Sequence, residues 1–475
     1  MRIPIEDVLA EHPVAAEIIG RLERAGYDTV LVGGVVRDGV RAVLEGRRWI
    51  PEDLDIATAA PPERVHALLP EFKVLEVGRA YGVMIVVAPG GQQYEVATFR
   101  TESAYADGRH PRQVRWGTLE EDVRRRDFTV NGLAATREGE VLDLVGGLAD
   151  LKAEVIRTIG PPDARFSEDW LRLLRAVRFS CQLGFALAEE TEAAVRRQAE
   201  GLAGVSWERI RDELLRLLAS PRSAGGVRLL QSTGLLCHTL PEVAALEGVP
   251  QPAEYHPEGD VFAHTCAALA VADGLWDEPL LKLAVMLHDV GKPVSLAHWE
   301  GEHMSGHCQV GGELAECALR RLRLPTRQVA WVVRLVREHM RAARLQEMRL
   351  GKQLRLLGAE ERAGEPLTEL PRRYPLFADL LRLIICDAEG SSHKASTWRP
   401  LLAHVVALLL HLERIQGLER ARELLRGDDL LAMGAAPGPQ LGKVLEEVHE
   451  LILAGTITSR KQALQEATRR LAGQT

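Results

Sequence analysis

The chain reads as an α+β N-terminal head, a mixed sheet with helices, followed by a mostly α-helical remainder. Three observations predict this. Strand-like runs (YDTVLVGGVV, GVMIVVA, QQYEVATF, EVLDLV) alternate with short helical stretches and glycine-bearing turns up to about residue 160. From Phe166 onward, apolar residues recur at spacings of three and four in EDWLRLLRAVRFSCQLGF, EETEAAVRRQAEGLAG, SWERIRDELLRLLAS and SAGGVRLLQSTGLL. Aromatic content of 5% beside 46% hydrophobic residues favours helices built from Leu, Ala and Val.

A chain of 475 residues can build about three domains. The Pro, Gly and acid-rich stretch EGVPQPAEYHPEGD (247–260) is the best linker. The expected division is a head over 1–160, a helical neck over 161–245, a histidine-bearing helical domain over 255–400 and a helical tail over 401–475. The tail reads as a Gly/Pro turn, a helix, a turn at AGTITS and a last helix with a serine cap.

Composition excludes several classes. The six cysteines (Cys181, Cys237, Cys266, Cys308, Cys317, Cys386) lack CxxC spacing, which argues against a zinc ribbon or disulfide framework and for a reducing, cytoplasmic setting. The opening MRIPIEDVLAEHP lacks the apolar run of a secretory signal, and no 18-residue uncharged apolar stretch follows, so no membrane partner is expected. The net charge of −8 is a whole-chain sum, and the arginine run at 124–126 can line a basic cleft within it.

In EDLDIAT, Asp53 and Asp55 flank Leu54, so an extended strand points both carboxylates to one face, roughly 6–7 Å apart. Such a pair is either a solvated strand end or a site for hard cations. Upstream, a β-type run ends in Gly33 and Gly34 and opens a helix carrying Arg37 and Asp38, a turn whose N–H groups can approach phosphate oxygens. Together these supply both halves of a nucleotide–Mg2+ site, with Glu95 of QQYEVATFR as candidate third carboxylate. In RRRDFTVN, Arg126 and Asp127 place a cationic fork beside an acceptor suited to triphosphate and ribose, and Asn131 can hold the turn or a hydroxyl. Asp169 and Arg172, three apart, project from one helix face, as an ordinary surface salt bridge would.

LVGGVVRD, DLDIAT, RRRDFTVNGLA, DLVGG, EDWLRLLRAVRF and ERIRDEL occur in the order and spacing of the class II tRNA nucleotidyltransferase and bacterial poly(A) polymerase family, which the chain resembles over residues 25–250. The resemblance implies a nucleotidyltransferase head in which Asp53 and Asp55 hold the catalytic Mg2+. It also implies that Asp169 and Arg172 pair with the edge of the incoming base, selecting CTP and then ATP, while Arg175 and Arg178 meet phosphates or brace the helix. VGRAYGVMIV (77–86) departs from the family's Thr-Gly-x-x-His-Gly turn but keeps Gly78 and Gly82, and 101–122 resembles its mobile loop, whose presence favours addition of the terminal A.

After the linker, His264, His288, Asp289 and Asp387 follow the order H…HD…D, with His288 and Asp289 expected on a helix. This resembles the HD phosphohydrolase superfamily, whose helical bundle gathers such residues around a divalent metal; His307 and His339 stand where two-metal members have further ligands. Imidazole with carboxylate suits Mn2+, Ni2+, Fe2+ or Zn2+. The expected function is template-free addition of C, C and A to tRNA from CTP and ATP, with no obligate protein partner and with HD hydrolysis of RNA 3′ ends as an added activity. Alternatives are an A-adding enzyme or poly(A) polymerase, or an HD phosphohydrolase whose head only binds RNA. RNA contact is expected along arginine-bearing helices such as AVRRQ and RIRDELLRLL.

Overall fold

A computed structural model describes all residues except 52, 79–80, 106–110, 255, 298–305, 358–374, 392–396, 454 and 473–475. The tip of the loop expected over 101–122 therefore lies outside the described residues. The N-terminal part is built on strands β1 (Thr29–Val32), β2 (Asp55–Thr58), β3 (Lys73–Gly78), β4 (Val83–Val87), β5 (Gln93–Thr98), β6 (Arg100–Tyr105), β7 (Pro111–Trp116), β8 (Leu133–Ala135) and β9 (Val141–Asp143). Seven of them form one sheet in the order β3-β4-β5-β2-β1-β8-β9, and β6 and β7 make a separate hairpin. Only β2 and β5 pair in parallel, which makes the sheet mixed, as the head was expected to be.

Alternation along the strands sorts their side chains to two faces. Leu31, Ile56 and Val96 enter the main core with Ile18, Val36 and Val40, while Val30, Val32 and Ala57 meet Phe99 and Ala134 on the other face. The strand β1 runs directly into the Gly34–Glu45 helix through Gly33, whose φ of 76° only glycine adopts at no steric cost.

Helices make up most of the remainder. Those over Leu171–Leu183, Trp207–Leu218 and Ser223–Ser232 bury Leu174, Val177, Ile210, Leu214, Leu217, Val227 and Leu230. A second set spans Val261–Leu275, Pro279–Leu287, His307–Arg321, Thr326–Ala343 and Pro375–Gly390. The two sets meet at a buried cation: the fully buried Lys282 ammonium donates to the Ser220 carbonyl at 2.9 Å and to Asp273 at 2.8 Å, and Asp273 also accepts from Ser223 Oγ and the Ala224 amide. Farther on, Ala421, Leu430, Val444, Val448, Ala463 and Ala467 form a small core of their own, and Ser459 Oγ accepts the Gln462 amide as the expected serine cap. Among the described residues no helix is long and apolar enough to cross a membrane.

Three local expectations are corrected. Asp53 precedes β2 rather than lying in it, although burial still alternates along Asp53, Leu54, Asp55 and Ile56, so both aspartates keep the open side. Asp169 and Arg172 do not share a helix: the Pro162–Glu168 helix ends just before Asp169, whose backbone is extended, and the next begins at Leu171. From just before that helix, the Asp169 side chain accepts the Leu171 amide at 3.1 Å. His288 and Asp289 lie just past the end of the Pro279–Leu287 helix, where the chain turns toward the Lys292–Ala297 helix.

Candidate active site and metal centre

Parallel pairing of β2 with β5 sets Asp55 directly opposite Glu95. Asp53 lies two residues before Asp55 on the same side. A Cβ added to Gly33 would come 3.4 Å from Arg126 Nη1 and 3.6 Å from Asp55 Oδ2, so the glycine turn, the arginine and the carboxylates converge on one place. Surrounding protein raises the Asp55 pKa; Arg126 partly offsets this, and the neighbouring Asp53 charge adds to it. Glu95 is raised in the same way, by burial and then by Asp55. Asp55 and Glu95 are thus short of positive charge, the condition a divalent cation corrects.

Arg126 is held by Asp122 Oδ2 at 3.1 Å, and the same buried aspartate takes Arg125 at 2.7 Å. Arg37 donates to both oxygens of Asp38 at 2.9 Å and to Asn131 Oδ1 at 2.7 Å. From Asn131 a polar chain runs on: its amide donates to Asp127 Oδ1 at 3.2 Å, and Arg175 donates to Asp127 Oδ2 at 2.8 and 2.5 Å. Burial would raise the Asp127 pKa, but Arg175, Asn131 and the Phe128 amide outweigh it and hold the group at about 2. Asp127 thus accepts from the Phe128 amide, Asn131 and Arg175, and it positions Arg175.

Arg172 donates to the Arg125 carbonyl at 2.9 Å and pairs with Glu168, while Asp169 takes Arg209 at 2.7 Å. The residues expected to read a base thus stand beside the arginine run, each in an ion pair with a different partner. Arg178 braces its helix: it bonds buried Glu213 at 2.5 Å and Gln182 at 2.6 Å and stacks on Phe179 at 4.0 Å.

The histidines converge among the second set of helices. Donor atoms of His264, His288 and Asp387 lie within 4.8 Å of one another. His264 Nε2 is 3.1 Å from Asp387 and 3.9 Å from Asp289, and His288 Nε2 is 3.1 Å from Asp289. His307 Nε2 is 3.6 Å from Asp289, and the His339 ring centre is 5.4 Å from that of His288. Lys292 reaches Asp289 at 2.6 Å. Both His288 and His339 spend Nδ1 on a carbonyl one turn back, Val285 and Val336, which turns Nε2 inward. The His288 side chain is only 1% exposed, and its Nε2 faces Asp289 Oδ2 without good hydrogen-bond geometry. Buried imidazole nitrogens turned toward carboxylates fit a metal ion.

Sequence reasoning missed several partners. Glu258, from the linker, takes His264 Nδ1 at 2.7 Å and His256 Nδ1 at 2.9 Å. His12 donates from Nε2 to the Pro51 carbonyl at 2.9 Å, two residues before Asp53, while its Nδ1 meets Gln92 at 3.1 Å; Gln92 in turn accepts from Tyr94, the neighbour of Glu95. The one available signal was histidine and glutamate inside HPEGD; His12 had none.

Three family models match: the poly(A) polymerase head domain over residues 29–157, a probable RNA and SrmB-binding site of polymerase A over 184–246, and the HD domain over 261–373. The CCA-adding enzyme of Bacillus subtilis (strain 168) is 38% identical over 290 residues, 60% of this chain and 67% of that protein. That of Geobacillus kaustophilus (strain HTA426) is 44% identical over 246 residues, 52% of this chain and 57% of that protein. The chain thus spans little more than half the length of several curated relatives it matches. Among solved structures, the Bacillus stearothermophilus CCA-adding enzyme in complex with CTP aligns with a TM-score of 0.56 and 28% identity, covering 97% of this chain and 98% of that one. The Thermotoga maritima CCA-adding enzyme complexed with tRNA aligns at 0.53 with 20% identity, a likeness of fold. Ordered motifs, matched domains and shared architecture agree, and the chain belongs to the family of CCA-adding enzymes and poly(A) polymerases, with an HD domain behind its head.

Proposed function

We propose that the protein is a tRNA nucleotidyltransferase that adds C, C and A to the tRNA 3′ end from CTP and ATP without a nucleic-acid template, releasing pyrophosphate. The observation that carries this reading is the in-register pairing of Asp55 with Glu95 beside Asp53, at the mouth of the Gly33 turn. Asp53, Asp55 and Glu95 would hold Mg2+, which would supply charge neutralisation at the triphosphate and activation of the attacking 3′-hydroxyl. The chain's own work is positioning. Amides at the start of the Gly34–Glu45 helix and the Arg126 guanidinium receive phosphate oxygens. Arg172 and Asp169 exchange Glu168 and Arg209 for the base edge, and a base with the wrong donors leaves these charges unpaired. The arginine-bearing neck helices follow the RNA backbone. The test is labelled-ATP transfer to a tRNA ending in CC: Asp55→Asn should abolish it while the fold persists, and full activity in that variant overturns the reading.

A second activity is favoured by one observation, the convergence of donor atoms from His264, His288 and Asp387 within 4.8 Å. A divalent ion held by His264, His288, Asp289 and Asp387, of the Mn2+, Ni2+, Fe2+ or Zn2+ type, suits hydrolysis of phosphate esters at RNA 3′ ends. Phosphate release from a 3′-phosphorylated RNA, lost in His288→Ala, is the expected result; equal release by the variant refutes it.

A further inference from the structure

One donor beside the HD cluster belongs to neither the histidine nor the carboxylate set. Cys308, in the first turn of the His307–Arg321 helix, places Sγ 3.4 Å from His307 Nε2. Together with His339 the two offer donor atoms that all lie within 4.8 Å of one another. We propose that this side of the pocket is a thiolate-bearing metal position, at which Cys308 and His307 bind a borderline or soft divalent ion such as Zn2+, Fe2+ or Co2+ in preference to Mg2+. The inference rests on the HD centre proposed above.

The spacing suits shared coordination. Sulfur at about 2.3 Å and nitrogen at about 2.0 Å from a tetrahedral ion stand roughly 3.5 Å apart, close to the separation seen. His307 Nε2 is also 3.6 Å from Asp289, a carboxylate 2% exposed, so the same ion has a hard ligand within reach. His339 presents Nδ1 4.0 Å from Cys308 Sγ, and the same nitrogen bonds the Val336 carbonyl at 2.8 Å. Its ring lies 5.4 Å from that of His288, so this position adjoins the HD centre. A thiolate among imidazoles shifts preference away from Mg2+, which favours oxygen donors. Binding releases the thiol proton to water and forms one sulfur–metal bond, with no oxidant or reductant needed.

The test is anaerobic titration of the full-length reduced protein with Co2+, followed by absorbance. A near-ultraviolet sulfur-to-cobalt charge-transfer band that Zn2+ displaces and Mg2+ does not is expected. It should be lost in Cys308→Ser and in Cys308→Ala, and kept when the exposed Cys237 and Cys317 are both replaced by Ser. Cobalt bound without the band leaves the HD centre standing and overturns the thiolate ligand. No cobalt bound overturns both, and a band that survives Cys308→Ser assigns the sulfur elsewhere and refutes the proposal.

Discussion

Arg175→Met should loosen the joint between the head and the Leu171–Leu183 helix, because it strips a buried carboxylate of its partner. Asp127 is 6% exposed, accepts from Arg175 at 2.8 and 2.5 Å, and is held at about 2 against an ordinary 3.8. A folded-state pKa below the unfolded one stabilises the fold above pH about 4 and loses that contribution as pH falls toward 2, about 2 kcal/mol in all. Removing the arginine forfeits this and leaves the charge buried and unpaired, a cost on the order of 3–5 kcal/mol. Hydrogen exchange at pH 7, read on peptides covering 127–132 and 171–183, should accelerate on the order of a hundredfold or more for amides that exchange through this opening. The double variant Asp127→Asn/Arg175→Met should exchange more slowly than Arg175→Met alone, since no charge is stranded. Exchange within about twofold of the wild type in Arg175→Met, or a double variant as fast as the sum of the singles, refutes this account of the joint.

Glu258→Gln should weaken divalent-metal affinity at the HD cluster by about 10–100-fold by releasing His264 from its orienting carboxylate, as measured by calorimetry; unchanged affinity contradicts that role. His12→Ala should lower kcat for nucleotide transfer more than it raises KM, because the Pro51 carbonyl and Tyr94 that frame Asp53 and Glu95 lose their tie, and His12→Gln should restore part of the rate. An equal loss in both variants counts against it. Asp55 and Glu95 both have raised pKa values, so each disfavours the metal-free fold once pH rises past its unfolded value. Asp55→Asn and Glu95→Gln should therefore raise the Tm of the metal-free protein at pH 7 while removing activity; a lowered Tm in both is the contrary result.

The sheet and the carboxylate cluster were legible because strand alternation and a glycine turn are local signals. Asp53, Leu54, Asp55 and Ile56 alternate in burial as read, and the guess that Glu95 stands beside them matches its register with Asp55. What stayed hidden was the choice of ion-pair partner, which depends on tertiary packing. Spacing of three joined Asp169 to Arg172, yet the chain breaks its helix at Asp169, and Arg209 and Glu168 take the two charges instead. The pairing of Asp127 with Arg175 was hidden because the two lie 48 positions apart. Glu258 was assigned to a linker, where its acidic neighbours masked a contact with His264. The HD residues were legible only as an order of types, and their convergence is a product of helix packing.

The central claim is tested most directly with tRNA transcripts ending at the discriminator base, after C and after CC, each incubated with Mg2+ and one labelled nucleotide at a time beside an unrelated RNA. The account predicts incorporation of C on the first two, of A only on the third, none on the unrelated RNA, and loss of all of it in Asp53→Ala. Addition of A alone would assign cytidine addition to another enzyme, and long A tails on any RNA, or activity untouched by Asp53→Ala, would contradict the account.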